Sequence, residues 1–413
     1  MTDSNEAEGW PRRDFLRGAG ALGALAAAGA PAFAAQAAQA AGPASRAAYE
    51  RLVQSLAQIG AQWLSPERGV SRAQDIAEGY RALLHFLDVG IRLYFEGDPN
   101  RPEFKPIVTP TIKMQGDNPD AFYFYTRIRG DRNYRIRGRQ IGEVYLSFTV
   151  HRGDGQGGWA EGVDAEKNFR HLKFKPDGSY ELLVGPDVDP EQGLRTGPRS
   201  QEIVSRHYFE LAHSAQLDPA LRPHLTIEAL DPDPLPGAPD DANIAQRLET
   251  VRHFLIANTI AQPRPDPARL PAWFSAVPNR LGAPARWSEK DGGGLGAVDN
   301  AYSAGRFVLE PEQALVIEGR LPQCVFANVV LWNRYLQSLD YRYRPISLNR
   351  RQMQLASDGS YRIIVAHRDP GHPNWLSTEG RADGTLYWRF LLPEGDIETP
   401  RTQVVPFADI SRA

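Results

Sequence analysis

The sequence predicts a mainly β protein with helical additions, built as two duplicated β-sandwich or jelly-roll-like lobes. The first observation behind this is texture. From Arg101 onward, short β-rich runs at 121–128, 134–138, 144–150 and 180–184 alternate with Gly/Asp/Asn turns. That spacing belongs to sandwich or barrel packing, not to a parallel α/β sheet, in which helices would separate the strands. The second observation is an internal repeat. Displaced by 181 residues, Gly138-Arg139 falls on Gly319-Arg320, and Asp177-Gly178-Ser179-Tyr180 on Asp358-Gly359-Ser360-Tyr361, without a gap. Residues 134–184 and 315–365 share twelve of fifty-one positions, Asn168 with Asn349 among them, where random composition gives roughly three or four. A repeat this long is a domain duplication. The third observation is the acidic, proline-rich segment at 231–241, which reads as a linker between the copies. Two like lobes leave a cleft at their pseudo-symmetric interface, a common place for ligands.

In chain order, residues 1–40 read as an export signal. Trp10-Pro11-Arg12-Arg13-Asp14-Phe15-Leu16-Arg17 has the paired arginines, single intervening residue, Phe-Leu and further basic residue of the twin-arginine signature. The Ala/Gly-rich run after it is too short and too weakly apolar to span a bilayer, which takes about 20 apolar residues. Small residues at Ala32-Phe33-Ala34 or Ala38-Gln39-Ala40 suit a signal peptidase. The expected destination is the periplasm, reached folded, with the twin-arginine translocase as a transient partner and no stable membrane insertion.

Residues 41–100 predict two helices. Over 44–64, Leu52, Leu56, Ile59 and Trp63 recur at helical spacing. After Ser65-Pro66, Ser71 is placed to cap a second helix with Ile76, Tyr80, Leu83, Leu87, Ile91 and Tyr94 as its stripe. The first β repeat occupies 101–230. A linker with a helical insertion covers 231–285, its helix at 242–260 carrying Ile244, Leu248, Val251 and Leu255. The second repeat takes 286–413, with β texture from near Asp299.

Composition excludes several function classes. Forty-seven basic against fifty acidic residues leave no basic footprint for nucleic acid or anionic membrane. A lone Cys324 forbids an intrachain disulfide or a cysteine cage, and its strand-like surroundings mark it as a small core residue. The glycine-rich stretches 153–158 and 292–296 lack the Gly-Lys-Ser/Thr ending of a phosphate loop, and no Gly-x-Ser-x-Gly elbow occurs. His151, His171, His207, His213 and His224 show no metal-ligand spacing. Asp231, Asp233, Asp240 and Asp241 fit helix capping better than a calcium loop, because prolines interrupt them. Neither a cofactor nor a metal is expected.

The densest polar–aromatic cluster is His367, Arg368, Asp369, His372, Asn374 and Trp375. Pro370, Gly371 and Pro373 would stiffen a loop presenting imidazole, carboxylate, amide and indole. There His372 with Asp369 would act as acid or base, Arg389 would meet an anionic group, and Trp375 and Asn374 would hold a ring. The competing reading is a tight turn pinned by Asp369 with Trp375 in the core. Tyr341-Arg342-Tyr343-Arg344 and Arg350-Arg351 set guanidiniums beside aromatics, with Tyr341 and Arg344 as ligand contacts. The same alternation describes a half-exposed strand. Glu161, Asp164 and Glu166 after Trp159 offer carboxylates to a glycan, or are solvated loop charges.

Gly116-Asp117-Asn118-Pro119-Asp120, Tyr134-Arg135-Ile136-Arg137-Gly138, and Asp369-Pro370-Gly371-His372-Pro373-Asn374-Trp375-Leu376 leading to Arg389 resemble bacterial proteins that carry the domain of unknown function numbered 1214. The likeness extends over most of the chain after the signal, and Asn374-Trp375-Leu376 is its most specific piece. It implies a mainly β, jelly-roll-like fold with helical segments. It supplies no catalytic residues. The first repeat has Gly193-Leu194 where the second has Asn374-Trp375, so a site built on Asn-Trp belongs to the second half. Two functions are thus expected: binding of a small organic or glycan ligand between the lobes, or the action of a cofactor-independent hydrolase or lyase on such a ligand. The sequence leaves a second copy of the chain open as a further partner.

Overall fold

The computed structural model describes residues 42–231, 234–264, 266–288 and 296–410. The export signal, Asp233 and residues 292–295 of the second glycine stretch lie outside them. Helices α1 (Ala44–Trp63) and α2 (Ala73–Gly90) open the described chain. Two details of α2 differ from the sequence reading. Its N-cap is Arg72, not Ser71, and no side chain caps it; Arg72 instead pairs with Asp75 of the first turn at 2.9 Å. The buried stripe also drifts, leaving Tyr80 and Ile91 half-exposed while Ala82, Phe86 and Val89 go inside. A π turn at Ile91–Phe95 follows directly. Its wider winding accommodates an extra residue per turn and turns Leu93 and Tyr94 inward together.

The first lobe comprises β1 (Lys105–Pro106), β2 (Ala121–Arg127), β3 (Tyr134–Arg139), β4 (Tyr145–Arg152), β5 (Gly162–Asn168), β6 (Ser179–Gly185), β7 (Leu194–Arg195), β8 (Ser200–Tyr208) and β9 (Leu225–Ala229). Helix α3 (Asp241–Asn258) follows. The second lobe comprises β10 (Phe274–Ser275), β11 (Ala285–Arg286), β12 (Asn300–Val308), β13 (Gln313–Arg320), β14 (Phe326–Trp332), β15 (Ser347–Asn349), β16 (Ser360–Ala366), β17 (Trp375–Ser377), β18 (Asp383–Leu391) and β19 (Arg401–Pro406). No helix among the described residues is long and apolar enough to cross a membrane.

The duplication is carried into topology. One sheet of the first lobe runs β1-β2-β8-β4-β5, and its counterpart runs β10-β12-β18-β14-β15, with β11 also paired to β12. The other sheets run β7-β6-β3-β9 and β17-β16-β13-β19. Registers repeat at the same displacement as the sequence. Ala121 opposite Tyr208 becomes Tyr302 opposite Arg389, and Tyr134 opposite Val184 becomes Leu315 opposite Val365. Within each lobe the two sheets share one core. Ile136, Phe148, Tyr180 and Ile203 meet in the first; Ile317, Val329, Ile363 and Trp388 meet in the second. The shared Gly-Arg anchors have a packing reason. Gly138 and Gly319 each lie under the cross-strand tyrosine, Tyr180 or Tyr361. A Cβ there would sit 2.2 Å and 2.6 Å from the respective hydroxyls.

Two further expectations shift. The helix of the supposed linker belongs to the N-terminal helices. Asp240 caps α3 by accepting from Asn243 N at 2.8 Å, and neighbouring Asp241 accepts from Ala44 N at 2.7 Å, tying α3 to the start of α1. Leu52, Ile59, Phe86, Val251, Phe254 and Leu255 form a helical core that also takes in Tyr125 and Val204 of the first lobe. Helix-and-lobe packing therefore crosses the expected domain boundaries. Cys324 lies just before β14 rather than in a strand, half-buried against the second core, and burial pushes its thiol up to about 11.

The lobes meet through the outer faces of their larger sheets. The repeated asparagines each reach across: Asn168 Nδ2 donates to Asp299 at 2.7 Å, and Asn349 Nδ2 to Asp120 at 3.2 Å. Asn328 adds bonds to Asn118 and Asp120 at 2.7 and 3.0 Å, and Tyr145 donates to Asp299 at 2.8 Å. Burial is total for Asp120, and it lifts that carboxyl to about 7.

Candidate ligand cavity between the lobes

Strand alternation explains why a cavity forms there. Along β8, Ile203, Ser205 and His207 turn toward the first lobe's interior, so Glu202, Val204, Arg206 and Tyr208 turn toward the second lobe. Along β18, Trp388 and Phe390 fill the second core, and Tyr387 and Arg389 face back. Between these faces lies a cavity of about 340 Å³, a volume in the range of small-molecule sites, which run from about 300 to 1,000 Å³. Tyr123 and Tyr125 of β2, Asn300 and Tyr302 of β12 and Trp332 of β14 complete the sheet walls. Tyr94, Phe254 and Asn258 close the helical side, and Trp159, Trp273 and Trp287 add indole surface from loops.

Under the 181-residue displacement, Arg206 falls on Tyr387 and Tyr208 on Arg389. Each lobe thus contributes one arginine and one tyrosine from equivalent strands, in exchanged order. Arg206 donates to Thr149 Oγ1 at 2.7 Å and to Gly296 O at 3.4 Å. Arg389 is buried, with its guanidinium 4.9 Å from the ring centres of both Trp332 and Tyr387. Its Nη2 donates to Gly116 O, while Nη1 has no hydrogen-bond partner among the described residues. No carboxylate of the described residues lies within ion-pair distance of it. Burial opposes its charge, yet the hydroxyls of Tyr123, Tyr208, Tyr387 and Tyr302 hold its pKa above the ordinary arginine value.

The acids behave differently. Glu202 is buried and accepts from Tyr125 Oη and from Gln201 Nε2 at 3.1 Å; Tyr125 in turn shares a 2.9 Å hydrogen bond with Tyr94. Burial pushes Glu202 up to about 7. Asp117 is locked elsewhere. Its carboxylate accepts from Ser338 N at 2.6 Å and from the Ser338 hydroxyl, which also receives Lys113 Nζ at 2.8 Å. Burial raises the pKa of Asp117 as well, so the cavity sets two guanidiniums against one hydrogen-bonded carboxyl whose ionisation burial opposes and one that is half-protonated at neutral pH.

Of the seven residues expected to form the site, Arg389 lines this cavity, and His372, Asp369, Trp375, Asn374, Tyr341 and Arg344 do not. Asp369 accepts from Gly371 N at 2.7 Å, and His372 Nδ1 from Asn374 N at 3.1 Å, both inside their own turn. Burial and nearby Arg362 lower the pKa of His372. Asn374 is fully buried and donates to Gln354 O and Arg362 O at 2.7 and 2.9 Å, stitching β17 into its sheet. Trp375 donates to Ala366 O at 3.2 Å and packs with Val316 and Ile364 on the outer face of the smaller sheet. The structure does not bring His372 and Asp369 together with Arg389, which leaves the proposed acid–base trio without a shared site. Tyr341 is buried beneath Lys113 Nζ, 4.7 Å from its ring, and residues 341–344 form a turn rather than a strand, with Arg344 exposed.

The carboxylates after Trp159 also diverge. Glu161 pairs with Arg199, Asp164 accepts from Ser200 at 2.6 Å, and Glu166 is largely buried, without a hydrogen-bond partner among the described residues. Burial, with Asp299 nearby, lifts Glu166 to about 7. His207 bonds Glu143 at 3.0 Å and His213 bonds Asp218 at 3.0 Å. Among the described residues no three His, Cys, Asp or Glu side chains gather as a metal site requires.

Arg206, Tyr208, Tyr387 and Arg389 lie beyond the 134–184 and 315–365 stretches that show the repeat most clearly. Carrying the same displacement onward pairs Arg206 with Tyr387 and Tyr208 with Arg389. That pairing, on strands with charges among apolar residues, was the available signal.

Comparison with known proteins supports the architecture. No curated protein matches the chain at a significant level. The crystal structure of an uncharacterized protein from Burkholderia cenocepacia superposes with a TM-score of 0.74 at 28% identity, covering 88% of this chain and 98% of that one. The VPA0106 protein from Vibrio parahaemolyticus aligns over 79% of this chain and 98% of that one, at 14% identity and a TM-score of 0.46. Residues 321–395, which span β14 to β18 and include Trp332, Tyr387 and Arg389, match the family described as protein of unknown function (DUF1214), and the chain carries a domain of that family there.

Proposed function

We propose that this is an exported periplasmic protein that binds a small organic or glycan ligand in the cavity between its two β lobes. One observation carries the reading: the outer faces of both larger sheets, which would be solvated in a lone lobe, here enclose an aromatic-walled space of about 340 Å³ with ionisable groups set into it. The twin-arginine pattern at Arg12-Arg13 supports export. The test is a thermal-shift screen of the full chain against sugars, aromatic acids, terpenoids, sulfates and divalent metals. A ligand at a hundred times its dissociation constant adds about 2.7 kcal/mol of stability. Val204→Trp, which fills the cavity from β8, should abolish that response, as should Ala160→Leu from the loop wall. A hit that stabilises both variants as well as it does the native chain would rule the cavity out.

A second reading, acid–base chemistry on the bound molecule, has its own support in Glu202. A buried carboxyl with a pKa of about 7, in hydrogen-bonded series with Tyr125 and Tyr94, is suited to give or take a proton near neutrality. Product formation from an identified binder, lost in Glu202→Gln while binding survives, would select this reading. Unchanged turnover in that variant would reject it.

A further inference from the structure

Resting on the ligand-binding reading, the charge distribution of the cavity narrows the ligand class. We infer that the bound molecule is a carboxylic acid with a planar, largely apolar body, and that its carboxylate lies against Arg389 or Arg206.

Both arginines line the cavity, Arg206 from β8 and Arg389 from β18. Tyr123 and Tyr302 line it as well, and Tyr123 shares a 3.0 Å hydrogen bond with Tyr208. Arg389 is buried and its Nη1 has no hydrogen-bond partner among the described residues; Asp117 and Asp120 feel its charge without forming an ion pair with it, and a buried charge is costly unless an anion meets it directly. The protein's own acids do not meet it. Asp117 is held by Ser338, and Glu202 stands in the Tyr125–Tyr94 series, half-protonated at neutral pH.

Arginine favours carboxylate because its planar fork matches two oxygens, and the phenolic hydroxyls can donate to the same anion. The lining also offers apolar, flat faces from Trp273, Phe274, Trp287 and Phe254. Flat aromatic walls favour a planar body by offset and edge-on contact. A neutral sugar would bring no anion to Arg389. A metal ion would be repelled by the arginines.

The experiment is isothermal titration of the full chain with matched pairs: 3-phenylpropionate and its amide, and naphthalene-2-carboxylate and its amide. The carboxylates should bind, with the amides at least ten-fold weaker. Arg206→Gln should cost at least ten-fold in carboxylate affinity and leave amide affinity unchanged. Arg389→Gln should do the same, and the retained amide affinity shows that the variant is folded. Amides binding as tightly as acids would overturn the carboxylate assignment while leaving the cavity as a binding site. If neither binds, while a neutral sugar binds and is blocked by Val204→Trp, the assignment likewise falls and the ligand-binding reading stands. Loss of every cavity-dependent ligand would sink that reading itself.

Discussion

Replacing Glu202 with glutamine tests the electrostatics of the cavity wall without needing a ligand. Burial lifts the carboxyl to about 7 from an ordinary glutamate value of 4.5. The folded state therefore keeps a proton that the unfolded chain releases, so this group's contribution is intact below pH 4.5. It is lost as pH rises toward 7. At 1.36 kcal/mol per unit, a displacement of this size amounts to about 3 kcal/mol. Asp120 and Glu166 add slopes of the same sign, with pKa values also near 7. Buried His85 and His151, lowered to about 4 and about 3, add the opposite slope below pH 6.5. All four are common to both proteins, so the difference between them isolates Glu202. Urea denaturation of native chain and Glu202→Gln from pH 4.5 to 8 should show the variant gaining about 3 kcal/mol relative to native over that interval. Parallel stability curves would mean that Glu202 ionises normally and is not enclosed as described.

Three further outcomes follow from packing and burial. Gly138→Ala and Gly319→Ala should each destabilise by about 1–3 kcal/mol, with Gly138→Ala the worse because its added Cβ meets the tyrosine hydroxyl at 2.2 rather than 2.6 Å; calorimetry showing the reverse order would contradict the register. Asp120→Ala removes the two acceptor oxygens used by Asn328 and Asn349 across the lobes and should cost about 1–3 kcal/mol, whereas Asp120→Asn, which keeps one acceptor, should recover part of it; equal losses would deny the network. Cys324, with its thiol held near 11 by burial, should react with iodoacetamide at pH 8 far more slowly than free glutathione, and a matching rate would contradict its placement.

Much of the architecture was legible because duplication leaves two kinds of trace at once. Gly138 and Gly319 share a steric need, and Asn168 and Asn349 share a cross-lobe bond, so both pairs survive as identities in the sequence. Strand positions followed from alternation and turn residues. The faces did not. On β8, Glu202, Arg206 and Tyr208 look like a solvated edge when read alone, and only the second lobe shows that they are enclosed. Helix α3 looked like part of a linker because its partners, α1 and α2, lie some two hundred residues away in the chain. Asn374 and Trp375 stand out for chemical richness, yet backbone N–H and C=O groups of the loop and sheet account for their polar atoms. A polar residue that secures its own turn and one that waits for a ligand have the same sequence signature; only the partner distances separate them.

A crystal structure of the chain soaked with the tightest-binding carboxylic acid from the titrations tests this account most directly. The acid should lie between β8 and β18, its carboxylate within hydrogen-bonding distance of Arg389 or Arg206 and its ring against Trp273 or Trp287. Density for the acid on the 369–375 turn or the outer surface, with the interlobe space unfilled, would contradict it.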